Sequence, residues 1–360
     1  MKKTLLLTTA LIGTLSILGT AQAEMKIGGG VKTAWKSYDV NTAGSRTLSG
    51  FSQERQIDFS TSGTLNNGLA YAAGFSMEQD GSQAGFDGGE GNYVNVTSGN
   101  TTIELGNDHI LNGDYNIVPR AGNALNEEID KKLSYGQGIG TIKESMGLGI
   151  VQKFDGGLLA VNFVPKVSQS KLSQLTTTAA NTFTVTTVDT AIKTGTDDTQ
   201  VSSDVGKSGY ELMFAGGLGV SGLNVALNYA SANFDGTNNK QINDLKTMGY
   251  GFSYKTGSFA FGAEKVNVEQ FAGTEKDMTE IGLTFKMSDN ATVGIGQTKT
   301  SQETIATGAA VGQDEKINYL QVGYNLGAIG TQLSYIDGEN MANSANVDSK
   351  TLVLKVNTKF

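Results

Sequence analysis

The chain has 360 residues, a formal net charge of −8 at pH 7, no cysteine and a single histidine. The lack of cysteine excludes disulfide bonds and thiolate metal sites, and one histidine argues against most histidine-based metal and catalytic sites. Charged residues make up 17% of the chain, too few for a disordered or nucleic-acid-binding protein, whereas 48 glycines and only 2 prolines suit paired strands, because proline cannot donate to a sheet.

The N-terminus has the pattern of an export signal. Met1-Lys2-Lys3 is followed by an apolar run over residues 5–18 and by the small-residue site Ala21-Gln22-Ala23. This pattern predicts a Sec signal peptide over residues 1–23, and a membrane anchor is the alternative. The apolar run is shorter than the ~20 residues that a spanning helix needs, and no second run approaches that length. A membrane location of residues 24–360 would therefore require a closed sheet, because lipid tolerates no unpaired backbone group.

The first strands alternate between apolar and polar side chains. Successive side chains of a strand point to opposite faces, so alternation gives each strand one apolar and one polar face. Residues 25–38 place Ile27, Val31 and Trp35 on one parity and Lys26, Lys32 and Lys36 on the other. Within residues 53–63, Ile57 and Phe59 fall on one face of the strand, and Glu54, Gln56 and Asp58 fall on the other. Arg55 falls on the same face as Ile57 and Phe59. A turn at residues 65–68 leads to a third strand, and residues 93–106 predict a hairpin around Ser98-Gly99-Asn100.

The stretch over residues 107–145 interrupts this alternation. It is charged and holds Pro119, one of the two prolines. An irregular run of this length is usually functional or disordered. It is the longest interruption in the first half of the chain.

Alternation resumes at residue 147 and continues to the C-terminus. A hairpin over residues 147–165 precedes a second insert, residues 166–207, which is rich in threonine and serine and to which no strand is assigned. Regular strands then follow, and the last one spans residues 349–360. Its apolar parity runs from Leu352 to Phe360, and its other parity includes Lys355 and Lys359.

About sixteen strands are predicted, joined alternately by short turns and longer polar loops. This asymmetry is typical of outer-membrane barrels and has no reason to occur in a soluble sandwich. The polar parity is too rich in charge for a packed barrel interior, so the lumen is predicted to be wet. The sequence therefore predicts an all-β fold, a transmembrane antiparallel β-barrel of about 16 strands in contact with outer-membrane lipid.

The chain resembles a general diffusion porin of Gram-negative outer membranes, of the sixteen-stranded trimeric, alphaproteobacterial type. The closest local likeness is the hairpin from Tyr93 to Asp108, together with the export signal, the insert after the fifth strand and the terminal Phe360. In this family the loop after strand five folds into the barrel and narrows it. The resemblance therefore implies that residues 107–145 form a constriction loop, and that the protein is a homotrimer.

The resemblance also implies which side chains line the pore. Family members set acidic residues of the constriction loop against basic residues of the facing wall. The loop residues that match are Asp108, Asp114, Glu127, Glu128 and Asp130, with Arg120 in the same stretch. The lumen-facing wall is predicted to contain Lys32, Lys36, Glu54, Asp58 and Lys355. The arginine clusters common in the family are missing, which weakens the expected transverse field.

The predicted function is passive diffusion of small hydrophilic solutes and ions across the outer membrane. A substrate-specific channel is one alternative, and a structural or adhesive surface barrel is another. No cofactor, metal or nucleic acid is predicted to bind. No enzymatic activity is predicted either, because the sequence has no nucleophile elbow of the G-x-S-x-G kind that could partner His109. Opposed acidic and basic rows across a narrow pore would orient dipolar solutes and disfavour apolar ones.

Overall fold

The computed structural model describes most of the chain after the predicted signal peptide. The described residues are 24–41, 47–80, 87–106, 117–121, 147–165, 173–178, 182–187, 206–234, 245–269, 274–304, 310, 312–343, 345 and 347–360. Within these ranges, no helix is long and apolar enough to cross a membrane. The predicted signal peptide lies outside them.

The described residues form eighteen strands and one short 3-10 turn, Met341–Asn343. The strands are β1 Glu24–Asn41, β2 Thr47–Thr64, β3 Ala70–Asp80, β4 Asp87–Ser98, β5 Thr101–Gly106, β6 Gly147–Phe154, β7 Gly157–Val164, β8 Ser173–Thr178, β9 Thr182–Thr187, β10 Gly206–Gly216, β11 Leu223–Phe234, β12 Leu245–Thr256, β13 Phe259–Glu269, β14 Thr274–Lys286, β15 Ala291–Thr304, β16 Glu315–Leu326, β17 Ile329–Glu339 and β18 Asp348–Lys359.

Sixteen of these strands close into an antiparallel barrel. Neighbours in sequence are neighbours in the sheet, except that β7 pairs with β10 and β18 pairs with β1. The β1–β18 pairing runs from Gly30 opposite Lys359 to Asn41 opposite Asp348. Beyond it, the backbones of Gly29 and Phe360 exchange two hydrogen bonds of 3.1 Å. The predicted barrel of about sixteen strands is confirmed.

The two ends of the barrel differ in their connections. At one end, the turn end, the strands are joined by short turns, such as residues 65–69, 99–100 and 287–290. At the other end, the loop end, most connections are longer, although residues 270–273 join β13 to β14, and the connection between β7 and β10 contains β8 and β9. These two strands form a two-stranded sheet of their own and are not part of the barrel sheet. The sequence analysis missed them, because each strand has only six residues, of which one in β8 and two in β9 are apolar, within a threonine-rich insert.

Over most of the barrel the outward side chains are apolar and exposed, whereas the inward ones are buried or half-buried. On β16, Leu320, Val322 and Tyr324 are 46%, 41% and 42% exposed, whereas Gln321 between them is 1% exposed. The same alternation recurs on β6, β7, β13, β17 and β18. An outer surface of this kind requires lipid around it, and polar residues inside require water or protein. The parity pattern thus predicted the two faces correctly.

The inner wall also contains two small apolar clusters. One joins β16, β17 and β18 and consists of Ile317, Tyr319, Ile336 and Val353, with Met341 packed against it. The other joins β6, β7 and β10 and consists of Val151, Ala160, Met213 and Ala215. The two clusters lie on either side of β12–β15, whose inward side chains include Val266, Val268 and Met278 as well as small and polar residues.

Candidate functional site: a segment on the inner wall

A short segment from the connection after β5 lies inside the barrel. Its residues 117–121 cover the inner face of β12–β15, and Ile117, Val118 and Ala121 are 5%, 3% and 1% exposed. The segment belongs to the stretch that the sequence analysis named as the constriction loop. Its position agrees with an inward-folded connection after the fifth strand.

Glycines on the wall make room for this segment. A methyl group on Gly282 of β14 would lie 2.6 Å from Val118 Cγ1, closer than real Cβ contacts occur. Four wall glycines face the segment in this way, one on each of β12, β13, β14 and β15: Gly251, Gly262, Gly282 and Gly294. Glycine in a strand often marks such a close approach by another backbone. We call these four residues the glycine track.

An ion pair holds the segment to the wall. Arg120 Nη2 donates to Glu280 Oε2 at 2.9 Å, and Arg120 Nε donates to Glu280 Oε1 at 3.3 Å. The side chain of Arg120 is 12% exposed and that of Glu280 is fully buried. A forked guanidinium–carboxylate contact of this kind is stronger and more specific than a single hydrogen bond. The segment is therefore fixed by charge as well as by packing.

Two further groups complete the buried network. The hydroxyl of Tyr319 on β16 donates to Glu280 Oε1 at 2.6 Å. Glu264 on β13 stands directly opposite Glu280 in the β13–β14 register and is 6% exposed. Its carboxylate accepts a hydrogen bond from the backbone N–H of Ile117, and Arg120 is near enough to interact with its charge. One arginine thus compensates two buried carboxylates.

The network lies at mid-height of the barrel. Glu264 is the middle residue of β13, and Glu280 is the middle residue of β14. β14 is seven strands from β5 in one direction around the barrel and nine in the other. Ile117, which meets Gly251 of β12 and Glu264 of β13, is five to six strands around the barrel from Gly106 at the end of β5.

Other carboxylates face inward between β5 and β13. Glu211 on β10 is 2% exposed, and the side-chain amide of Asn228 donates to its Oε1 at 2.7 Å. Glu104 on β5 is 5% exposed and accepts a long hydrogen bond of 3.4 Å from Asn95. These groups are spread along the wall. Among the residues that the structure describes, no three histidine, aspartate or glutamate side chains converge as ligands of a metal ion.

The predicted lysine wall contains its own acids. Lys32 forms an ion pair with Glu54, which is its register partner on β2. On the same face, Asp58 accepts hydrogen bonds from Ser76 Oγ at 2.7 Å and from Gln56 Nε2 at 2.8 Å. This part of the wall is therefore mixed in charge and not basic.

Lys36 and Lys355 lie close to Lys32 along the seam between β1 and β18. Lys355 is opposite Ala34 in the register, so the predicted neighbourhood of the first and last strands exists. The Lys36 amine lies 5.2 Å from the centroid of the Tyr38 ring, within the range of a cation–π contact.

Six of the predicted site residues are described. Lys32, Lys36, Glu54, Asp58 and Lys355 share the inward parity of their strands, and Arg120 lies in the inward segment. The structure spreads the first five along the inner face of β18, β1 and β2, with Asp58 opposite Gly28, and it places Arg120 elsewhere, against Glu280 of β14. The predicted loop acids Asp108, Asp114, Glu127, Glu128 and Asp130 lie outside the described residues.

The sequence analysis missed the partners of Arg120. Glu264, Glu280 and Tyr319 were not singled out, nor was Glu211. Parity alone could have placed Glu264 and Glu280 on the inner face, because each directly adjoins an outward apolar residue. Nothing local could have joined Glu280 to Arg120, which is 160 residues away in the chain.

Comparison with known proteins gives both a family and structural neighbours. A family model described as Gram-negative porin matches residues 8–346. No curated protein matches the sequence significantly.

Three of the similar solved structures are outer-membrane proteins of low sequence identity. A loop-deletion mutant of OmpT from Vibrio cholerae is 15% identical with a TM-score of 0.62, covering 94% of this chain and 99% of its own. The anion-selective porin from Comamonas acidovorans is 12% identical with a TM-score of 0.59, covering 94% and 100%. The in-vitro folded trimer form of V. cholerae OmpT is 13% identical with a TM-score of 0.57, covering 94% and 99%. At this identity, the likeness shows a shared fold.

Proposed function

The chain belongs to the Gram-negative porin family, and from this premise we propose that its barrel is a general diffusion channel narrowed at mid-height by the connection between β5 and β6. As a member of this family it is an outer-membrane channel, which agrees with the exposed apolar band outside and the polar wall inside. The specific proposal concerns how the channel is narrowed, which ions it prefers and how the subunits assemble.

The position of residues 117–121 is the observation that carries the narrowing. The segment is held against β12–β15 at the height of Glu264 and Glu280, on the side of the barrel away from Gly106. Chain that occupies the lumen at mid-height reduces the cross-section open to solutes. A size limit set in this way is passive, because it needs no conformational change in each transport event.

The charges of the described wall support a weak preference for cations. Glu104, Glu211, Glu264 and Glu280 all face inward, and the Arg120 guanidinium lies near the last two of these carboxylates. Near β1, Lys32 is balanced by Glu54. The predicted acids at 108, 114, 127, 128 and 130 would add to the negative potential and attract counter-ions into the lumen.

A polar cluster on the outer face of β1–β3 supports assembly with further copies of the chain. Arg55 Nε donates to Gln53 Oε1 at 2.8 Å, and Arg55 Nη1 donates to Gln79 Oε1 at 3.2 Å. Gln53 in turn donates to Thr33 Oγ1 at 3.2 Å. The cluster lies between Phe51 toward the loop end and apolar residues toward the turn end.

Exposure of this cluster to lipid is energetically unfavourable. An arginine on the lipid face of a barrel costs up to about 2–4 kcal/mol near the middle of the bilayer. A second subunit that covers the cluster removes this cost. We infer that the protein is a homotrimer with β1–β3 at the subunit contact, in line with the trimer form in which V. cholerae OmpT has been solved.

Liposome swelling with sugars of graded size tests the proposed function. Uptake that falls smoothly with solute size is expected of a diffusion channel. Saturation by one solute would indicate a substrate-specific channel instead, and an absence of uptake would indicate a structural or adhesive barrel. Protein-free liposomes and liposomes with heat-denatured protein are the controls.

A further inference from the structure

We propose that the connection between β17 and β18 forms a second narrowing of the channel, at its loop-end mouth and separate from residues 117–121. The inference rests on the proposed diffusion channel and concerns which side chains bound its entrance. The connection spans residues 340–347. Its first four residues, 340–343, contain the 3-10 turn Met341–Asn343, and we call them the mouth turn.

The side chain of Met341 lies inside the barrel, on the inner face of β17. A methyl group on Gly338 would collide with Met341 Sδ and would lie 3.0 Å from Ser349 Oγ. Gly338 shares the inward parity of Ile336, and Ser349 is its register partner on β18. Met341 also packs against the inward apolar cluster of β16–β18. The chain therefore turns inward directly after β17 instead of continuing above the rim.

Asn343 attaches the other end of the mouth turn to β15 and to the β15–β16 connection. Its side-chain amide donates to the backbone carbonyl of Thr300 at 3.0 Å and to that of Gln313 at 2.9 Å. The Asn343 carbonyl in turn accepts a hydrogen bond of 2.8 Å from the Gln313 N–H. A side-chain amide has two N–H donors, so both are used here. The mouth turn thus crosses β16 and reaches β15.

The backbone of the connection holds the mouth turn in one conformation. Asn340 and Asn343 have φ values of 50° and 59°, a left-handed conformation that asparagine adopts more readily than most residues. Asn340 N–H donates to Asp348 Oδ1 at 3.1 Å, and Met341 N–H donates to the Val347 carbonyl at 2.7 Å. These bonds close the connection at its base. Compact loops whose ends lie close together are frequently functional.

The inner wall beside the mouth turn is closed to water. Ile317, Ile336 and Val353, on β16, β17 and β18, are 1%, 3% and 3% exposed. On the inner wall of β1 and β2, in contrast, the side chains of Lys32 and Glu54 are 40% and 17% exposed. Water therefore reaches the lumen beside β1 and β2 but not the wall of β16–β18. The open route lies away from β16–β18, on the side that includes β1 and β2.

The mouth turn is expected to act on solute size and not on charge. Its sequence is Asn340-Met341-Ala342-Asn343, and none of these side chains is ionised. An uncharged narrowing limits the width of the route without a preference for either sign of ion. Changes to the mouth turn should therefore alter conductance and leave the reversal potential unchanged. The acids deeper in the lumen should do the opposite.

The absence of cysteine from the chain allows a direct test with single introduced thiols. Met341→Cys is reconstituted in planar bilayers, and biotin maleimide, a bulky uncharged reagent, is added on the loop-end side. We expect a stepwise loss of single-channel current with no change in reversal potential. Glu339→Cys is the matched control, because Glu339 lies two residues earlier, faces outward and has a side chain that is 53% exposed. Mass spectrometry of the recovered protein measures how completely each thiol has reacted.

A loss of current in Met341→Cys alone supports the proposal. An unchanged current after complete modification, or an equal loss in Glu339→Cys, overturns it. If the thiol at position 341 does not react, Met341→Trp decides, because a larger side chain at the same place should lower the conductance. Glu339→Trp is then the control, gel mobility before and after heating shows that both variants are folded, and equal conductance of the two overturns the mouth turn.

The unmodified protein separates this inference from the proposed function. If it carries no current at all, the diffusion channel itself is wrong. If it conducts and changes at position 341 have no effect, only the second narrowing is wrong.

Discussion

Arg120 and Glu280, 160 residues apart in the chain, form a two-point ion pair inside the barrel. Because Glu280 is fully buried, removing its partner leaves an uncompensated charge in the wall. The pair therefore fixes the inward segment together with its packing on the glycine track.

Breaking the ion pair on one side should destabilise the protein. Arg120→Ala is expected to lower the free energy of unfolding by about 3–5 kcal/mol, the usual cost of breaking a buried pair. Arg120→Met combined with Glu280→Met removes both charges and should cost clearly less. Urea unfolding in lipid vesicles, followed by circular dichroism, measures both. A double variant as unstable as the sum of Arg120→Met and Glu280→Met, each measured alone, contradicts the proposed coupling.

Filling the glycine track should displace the inward segment. Gly282→Val places a side chain where Val118 and Pro119 now pack, so the segment must move and the conductance must change. Gly50→Val is the control, because a Cβ at Gly50 meets no heavy atom within 4 Å. Single-channel recording in planar bilayers measures the two variants. The same conductance in both would show that the segment does not narrow the pore.

Removing either charge of the Lys32–Glu54 ion pair should change the preference for cations over anions, with opposite signs for the two residues. Lys32→Gln leaves Glu54 uncompensated and is expected to increase the preference for cations, whereas Glu54→Gln should decrease it. The combined variant should return close to the original value. Reversal potentials in a potassium chloride gradient report the preference. Shifts of the same sign in the two single variants would show that these side chains do not act through their charge.

The acids of the predicted constriction loop should also set ion preference. Replacing Glu127, Glu128 and Asp130 together with their amides is expected to lower the preference for cations over anions, because three negative charges leave the proposed constriction. The measurement is again the reversal potential. An unchanged value would indicate that these residues lie outside the narrow part of the channel. Asp289→Asn, in the β14–β15 turn, serves as a control for loss of an acid elsewhere.

The outer cluster of β1–β3 should stabilise the proposed trimer. Arg55→Ala removes the group that links Gln53 and Gln79, so the trimer is expected to dissociate at a lower temperature. Lys246→Ala, an exposed outward cation on β12, is the matched control. Gel mobility after stepwise heating in mild detergent measures the dissociation. If only Lys246→Ala lowers the dissociation temperature, the contact must lie on the other side of the barrel.

Side-chain parity accounts for most of what the sequence predicted. It is a local property of each strand, so it identified the sixteen barrel strands, their two faces and the outward position of Arg55. It also placed Lys32 and Glu54 on the inner face, although their ion pair depends on the β1–β2 register.

Contacts across the barrel could not be predicted in this way. The link from Arg120 to Glu280 depends on how an irregular segment folds over the wall, which no periodicity encodes. The glycine track shows the same limit. Gly251, Gly262 and Gly282 are visible in the sequence, yet the reason for them is the backbone that lies on top of them.

The seam between β1 and β18 has a consequence for biogenesis. Thr358 donates to the backbone of Val31 across 327 residues of chain, so the cylinder cannot shut until its last strand has arrived. Until then, two margins of unsatisfied amides and carbonyls stay open and can recruit other polypeptides into aggregates. The protein is thus most prone to aggregation before it inserts into the bilayer, while the sheet is still open between β1 and β18.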